Sequence, residues 1–235
     1  MLDQTNGHGH GDYEDQWARK APPLMLSYAR PAQGMGTDQE PIKRFFDDLC
    51  LEIGYIAGGL KESDPAAFDQ EMPLGVTWQR RLSYFLANCR VLVPLLSPPF
   101  FESEWCGKEW WVFNQRAVEI RPPLRDDEPA VVPVIWVPVP SDRMHPALSR
   151  LQYTNRHMPD SYTREGLLAL SRSDGRDYRV AVYQIAKRIG ELLEHTTVAP
   201  GKMVNLNTAP NAFKEPKGLP NWEHVRFWHE DNSTV

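Results

Sequence analysis

"RVLVPLLS", residues Arg90 to Ser97, decides how the rest of the chain is read. From Val91 to Leu96 it has no polar side chain, so neither face of the segment is suited to water. A short run apolar on both faces is what a central strand of a parallel sheet needs, with helices covering it above and below. A Pro-Pro pair and then "SEWCGKEW", Ser103 to Trp110, follow it directly. The spacing predicts a helix from near Ser103 to about Val118. On it one carboxylate, Glu109, sits among two tryptophans and Cys106. Spacing alone allows two readings of Glu109: a solvated residue near a helix start, stabilising through the helix dipole, or a group that works on a bound ligand.

Working outward, "LMLS" ending at Ser27 reads as the first strand. The loop "PAQGMGTD" lacks the Lys-Ser/Thr ending of a phosphate-binding loop, and its G-x-G alone is weak evidence for one. A helix is expected from about Asp38, with Ile42, Phe45, Phe46, Leu49 and Ile53 on its buried face and Pro41 in its first turn. "AAFDQEM" reads as a short second strand running into the loop "PLGV", and Thr77 as the N-cap of a helix that buries Trp78, Leu82, Phe85, Leu86 and Cys89. Downstream, "AVVPVIWV" is the fourth strand, with Pro133 placing its start at an edge or bulge. A short helix and a fifth strand at Leu151 to Tyr153 are expected next. The terminal helix "DYRVAVYQIAKRIGELLEH" buries Tyr178, Val182, Ile185, Ile189 and Leu192.

Strands that alternate with helices across connections too long for hairpins imply an α/β fold. The expectation is a flavodoxin-like parallel sheet of about five strands with helices on both faces. Ligands of such sheets sit outside the carboxyl ends of the strands. Here those ends fall at residues 27–30, 69–75, 97–105 and 137–142, so "SEWCGKEW" opens a helix at the ligand edge, with Glu109 expected at the cleft and not in the core. Residues 1–20 read as a disordered arm, 21–196 as the domain, and 197–235, which carries a brief apolar patch at Trp222 to Trp228, as a linker or extended C-terminal tail.

The composition narrows the function classes. With 235 residues and a net charge of −5, the chain has a real core and no general attraction to nucleic acid. The longest apolar run, "AVVPVIWVPVP", is too short for a bilayer and broken by prolines. The three cysteines, Cys50, Cys89 and Cys106, form no C-x-x-C pair, so a reducing cytoplasm is the expected setting. "GHGHGD" could hold a metal ion through His8 and His10, but no further ligand is near in sequence, and no metal is expected.

Three stretches together resemble one family. "LMLSYAR" resembles the opening strand of the TIR (Toll/interleukin-1 receptor) domain, and "FDQEMPLGVTWQRRLSYFLANCRVLVPLLSPPFFESEWCGKEW" resembles the part that follows. There a strand ends in Asp, a loop carries a Gly, and a strand after the next helix leads to S-x-W-C-x-x-E. "LQYTNRHMPDSYTREGLLALSR" looks closest to TIR-like proteins of actinomycetes, some of which accompany FxSxx-type peptide clusters. The resemblance spans about Pro22 to His195. It implies either an NAD+ glycohydrolase, cleaving the nicotinamide–ribose bond to leave ADP-ribose or a cyclic variant, or a non-catalytic adaptor acting through TIR–TIR contacts. The family's catalytic carboxylate falls on Glu109. Its BB loop, which covers the site and joins protomers, falls on Pro73, Leu74, Gly75 and Val76. The chain departs from the family in "IAGGLKESDPAAF" and in an aromatic helix after Glu109, with Trp110, Trp111 and Phe113.

The chemistry needs only one carboxylate. The nicotinamide of NAD+ is already cationic and leaves without a general acid, unlike the leaving oxygen of a glycoside. The barrier lies in the charge that develops on the ribose, which a fixed carboxylate lowers. NAD+ would be the substrate, with no cofactor, and the partner a second copy of the chain. Ser27, Tyr28, Arg30, Asp69 and Trp105 are the candidates for lining the pocket. Arg30 is either a phosphate ligand or a surface charge, Trp105 either pocket wall or core, and Cys106 reads as a small buried hydrophobe. A nucleotide hydrolase of another kind is disfavoured by the missing phosphate-loop lysine.

Overall fold

The computed structural model describes residues 22–29, 39–57, 78–125, 128–149, 151, 153–173 and 175–214. In chain order the elements are β1 (Leu24–Ser27), α1 (Glu40–Ala57), α2 (Trp78–Asn88), β2 (Val91–Leu96), α3 (Pro98–Glu102), α4 (Glu104–Phe113), β3 (Val118–Ile120) and β4 (Val134–Ile135). A single 3₁₀ turn (Ser141–Arg143) then precedes α5 (Pro146–Ser149), α6 (Asp160–Glu165), α7 (Leu167–Ser173), α8 (Arg176–His195) and β5 (Thr196–Val198). The expected second strand and the loop after it lie outside the described residues.

The fold is α/β and flavodoxin-like. β2 lies between β1 and β4 and is parallel to both. Its side chains divide by the two-residue period of a strand. Leu24, Leu26, Val91, Val93 and Leu95 enter the core under α1, α7 and α8, while Met25, Leu92 and Leu96 enter the core under α2, α3 and α4. That division is why "VLVPLL" is apolar throughout. The helical faces agree: Ile42, Phe45, Leu49 and Ile53 of α1 and Tyr178, Val182, Ile185, Ile189 and Leu192 of α8 are buried, while Phe46, also expected on the buried face, is only half-buried against them. Each such side chain contributes roughly 1.5–3 kcal/mol by leaving water.

A proline explains why the fourth strand is short. Leu92 N donates to Ala130 O and Val132 N to Leu92 O, then the ladder resumes at Leu95↔Val134. By alternation Pro94 has its nitrogen on this same side, and Pro133 stands opposite with its nitrogen turned away from β2. Pro94 has no N–H to donate, so the ladder breaks there and β4 keeps two residues, with an isolated bridge at Val131.

Among the described residues the parallel sheet has three strands, not about five, and neither Leu151 nor Tyr153, where a fifth strand is expected, lies in one. The cause is on the outer edge of β4. The buried Tyr162 hydroxyl accepts from Ile135 N at 2.9 Å, and Leu168 N donates to Trp136 O at 3.0 Å. The Ile135 N–H that a fifth strand would pair with is already bonded, and the α6–α7 corner is bonded to the end of β4. That corner turns at Gly166, whose φ of 80° and ψ of 161° belong to a region open only to glycine. A Cβ there would meet the Trp136 carbonyl oxygen at 2.7 Å. Gly166→Ala is therefore expected to lower stability by about 2–4 kcal/mol, combining backbone strain with overpacking. Urea unfolding measures it, and a loss below about 1 kcal/mol would show that the corner re-forms freely.

The helix expected to reach Val118 ends earlier, at Phe113, with Asn114 as its C-cap. Val118 instead begins β3, which pairs antiparallel with β5 in a second, two-stranded sheet. Guanidinium groups gather at the nearby end of α8: Arg90 donates to the carbonyls of Leu193 and Thr196, and Arg121 to that of Glu194. Cations suit the negative end of a helix and bond carbonyls that have no partner within it. From Ala199 to Lys214 the chain is extended and turned, and its Val204, Leu206, Ala209, Ala212 and Phe213 join the core under α2, α3 and α4. This segment is called the strap below.

Candidate functional site

Ser27 is the last residue of β1, two positions after Met25, and so faces α4. α4 begins at Ser103, whose hydroxyl accepts from Cys106 N at 3.2 Å and caps the helix. From that start the 3.6-residue period turns Cys106, Glu109 and Trp110 inward. Ser27 Oγ then donates to Glu109 Oε2 at 2.5 Å, with the two residues only 2% and 7% exposed. The bond joins residues 82 apart in sequence and places Glu109 at the carboxyl edge of the sheet.

Glu109 is therefore not on the wet side of its helix and not at the helix start, as spacing alone had it; it lies mid-helix and buried. Taking a carboxylate out of water costs several kcal/mol unless hydrogen bonds compensate. A short bond from a hydroxyl is one of the stronger compensations available. Cys106 completes the cluster. Burial first, and the Glu109 charge second, push its thiol well above the usual range, while hydrogen bonds with Ser103 and Ser27 pull the other way. It remains a neutral thiol, as a small buried hydrophobe should.

The remaining candidates divide. Trp105 meets Trp78 edge to face, with ring centroids 4.6 Å apart, and Lys108 Nζ lies 5.4 Å from the Trp105 ring centre. Trp78 opens α2 two residues after Val76, so this aromatic pair stands where the chain returns from the 58–77 stretch. Tyr28 packs against the opposite core, under α1 and α8. Arg30, Asp69, Pro73, Leu74, Gly75 and Val76 lie outside the described residues.

Two features of α4 escape a reading by periodicity. Lys108 is 6% exposed, bonded to Glu104 at 2.7 Å and to the Asn207 carbonyl of the strap at 3.2 Å. Gly107 is pressed against Asn211. The sequence carried one sign of this: a glycine in a helix interior costs up to about 1 kcal/mol and commonly marks a close approach. The aromatic character of α4 has the same origin, since Trp110 packs against Phe213 of the strap at 6.2 Å.

Among the described residues no three His, Cys, Asp or Glu side chains gather as a metal site, and no helix is long and apolar enough to cross a membrane. A family model for the TIR domain matches residues 52–170, a span that runs from late α1 through Glu109 into α7. Comparison with curated proteins and with solved structures gave no significant match.

Proposed function

The chain belongs to the TIR domain family, and on that premise we propose that it is an NAD+ glycohydrolase with Glu109 as its catalytic carboxylate. One observation carries the reading: a buried carboxylate is held by Ser27 at the sheet edge where ligands of this fold bind. Structural needs alone are met more cheaply by an apolar residue, since isolated buried charge is costly. A carboxylate fixed before the substrate arrives needs no reorganisation when positive charge grows on the ribose. In the reaction the C1′–N bond breaks and its electron pair passes to the ring nitrogen, which loses its positive charge as nicotinamide leaves. Water attacks C1′ and gives up a proton, leaving ADP-ribose. Capture by a nucleophile of the same molecule instead gives a cyclic product.

In this reading Ser27 orients Glu109, and Trp105 with Trp78 walls the pocket on the side of the 58–77 stretch. Tyr28, Arg30 and Asp69 are the proposed contacts to the rest of the dinucleotide. The setting is cytoplasmic and bacterial, within defence or signalling, in a protein of the FxSxx-associated type. Activity depends on self-association through Pro73 to Val76. The burial of Glu109 also favours a second reading, an adaptor in which the Ser27–Glu109 bond only joins α4 to β1.

Nicotinamide release by purified protein, followed across a wide range of protein concentration, separates the two. Turnover per protomer that rises with concentration is expected. Self-association without nicotinamide release at any concentration would leave the adaptor. Gly75→Arg is expected to lower turnover at high concentration while stability moves by less than about 0.5 kcal/mol, as for most surface loops. Activity indifferent both to dilution and to Gly75→Arg would remove assembly from the account.

A further inference from the structure

We propose that the strap, Ala199 to Lys214, is a positioning element of the Glu109 site, acting on α4 through Gly107 and through the ring of Phe213. The inference rests on the glycohydrolase reading and concerns what holds its carboxylate in place. α4 has ten residues. A helix of that length is marginal alone, so its position is set by what packs on it. The sheet holds one side through Ser27 and the apolar core. The strap holds the other.

The strap bonds are specific. Ala212 N donates to Gly107 O at 3.1 Å, and Lys108 Nζ donates to Asn207 O at 3.2 Å. A Cβ built on Gly107 would lie 1.8 Å from Asn211 Oδ1 and 2.6 Å from its Cγ. Asn211 cannot simply swing aside, because the same Oδ1 accepts from Phe213 N at 2.8 Å and forms the turn that aims the Phe213 ring. That ring enters a cage of Phe100, Phe101 and His145, each with its centroid about 5.4 Å away, and of Trp110 at 6.2 Å. Phe100 and Phe101 belong to α3, and Trp110 follows Glu109 directly. Further back the strap is tied to α2, where Ser83 Oγ donates to Val204 O at 2.8 Å and accepts from Val204 N at 2.9 Å. α2, α3 and α4 are thus clamped together from outside, and the depth of Glu109 at the sheet edge follows from the clamp.

The test compares Gly107→Ala, Phe213→Ala and Phe213→Leu in the full chain. It reads kcat and KM for NAD+ well below the melting temperature, together with hydrogen exchange of the amides at 104–113. A Cβ at Gly107 moves strap and helix apart by about an ångström, and a displacement of that size near a reacting group can cost about a hundredfold in rate. The expected result is a tenfold to hundredfold fall in kcat for Gly107→Ala and Phe213→Ala with KM nearly unchanged, and faster exchange across 104–113. Phe213→Leu, which refills most of the cage, should recover most of both. Lower melting temperatures with kcat unchanged would make the strap a stabilising segment only and overturn the proposal. Should the wild type release no nicotinamide, it is the glycohydrolase reading that falls. Exchange at 104–113 then still decides whether the strap holds α4, and unchanged exchange in both alanine variants overturns that too.

Discussion

Glu109→Gln is expected to lower NAD+ turnover about a hundred- to a thousandfold, the usual cost of removing one preorganised electrostatic contact to a transition state. Gln keeps the volume, so no cavity opens, and its amide oxygen can still accept from Ser27 Oγ. What goes is the charge. The effect on stability has two opposing parts. Removing a buried carboxylate relieves a desolvation cost, while the new amide N–H₂ needs acceptors beside Cys106 and leaves about 1–3 kcal/mol at stake if it finds none. The net change is expected within about 2 kcal/mol in either direction, too little to unfold a domain stabilised by the usual 5–15 kcal/mol. Turnover and thermal melting of the two proteins, measured side by side, give the answer. Unchanged turnover in a folded Glu109→Gln protein would show that the Ser27–Glu109 bond serves only to fasten α4 to β1.

Fold class was legible because it rests on patterns that local sequence carries. "VLVPLL", short and bounded by turn residues, reads as a strand covered on both sides, and the 3.6-residue repeats of α1 and α8 name their buried faces, Phe46 excepted. The edge of the sheet was not legible in the same way. Whether "LQY" becomes a strand depends on whether the outer groups of β4 are free, and Tyr162 and Leu168, from elements later in the chain, occupy them. Pro133 gave partial warning of a broken strand, but the ladder bond that is missing is that of Pro94 opposite it, a pairing that exists only once the register is known.

The site divides similarly. Glu109 and Ser27 were each placed at the carboxyl edge by element order, yet their direct bond depends on the depth at which α4 lies, which periodicity does not encode. Spacing left a solvated Glu109 open as one of two readings, because nothing nearby in sequence covers α4 on its outer side. The cover comes from about a hundred residues downstream: Asn207 lies over Lys108, and Phe213 over Trp110. A tail with many turn residues and no periodicity carries no visible sign that its few apolar side chains are aimed at one helix. Gly107 and the aromatic residues of α4 were the local traces of that contact.

The largest expected stability effect outside the backbone belongs to Arg116. It is buried, and burial holds its guanidinium below the ordinary arginine range. Its bonds go to backbone carbonyls: Nη1 donates to Leu86 O at 3.0 Å and to Cys89 O at 2.5 Å, and Nε to Ala199 O at 2.9 Å. The first two acceptors close α2, where carbonyls lack partners within the helix and a positive charge is favoured. The third begins the strap. One side chain therefore joins the end of α2, the turn before β3 and the start of the C-terminal segment. Arg116→Met would keep most of the apolar stem and remove all three bonds, along with the guanidinium's place over the Phe113 ring. Relief of the buried charge works in favour of the variant. Against it stand three carbonyls, each worth about 1–3 kcal/mol if left without a donor. The second term wins unless water reaches all three, so a net loss of about 2–4 kcal/mol is expected. For a chain of this size that lowers the melting temperature by roughly 5–15 °C. Arg116→Lys should fall between, because one ammonium cannot reach acceptors that diverge from a planar fork. A melting temperature for Arg116→Met within about 2 °C of wild type would mean that solvent replaces the guanidinium at little cost, and that the strap is anchored by its other contacts.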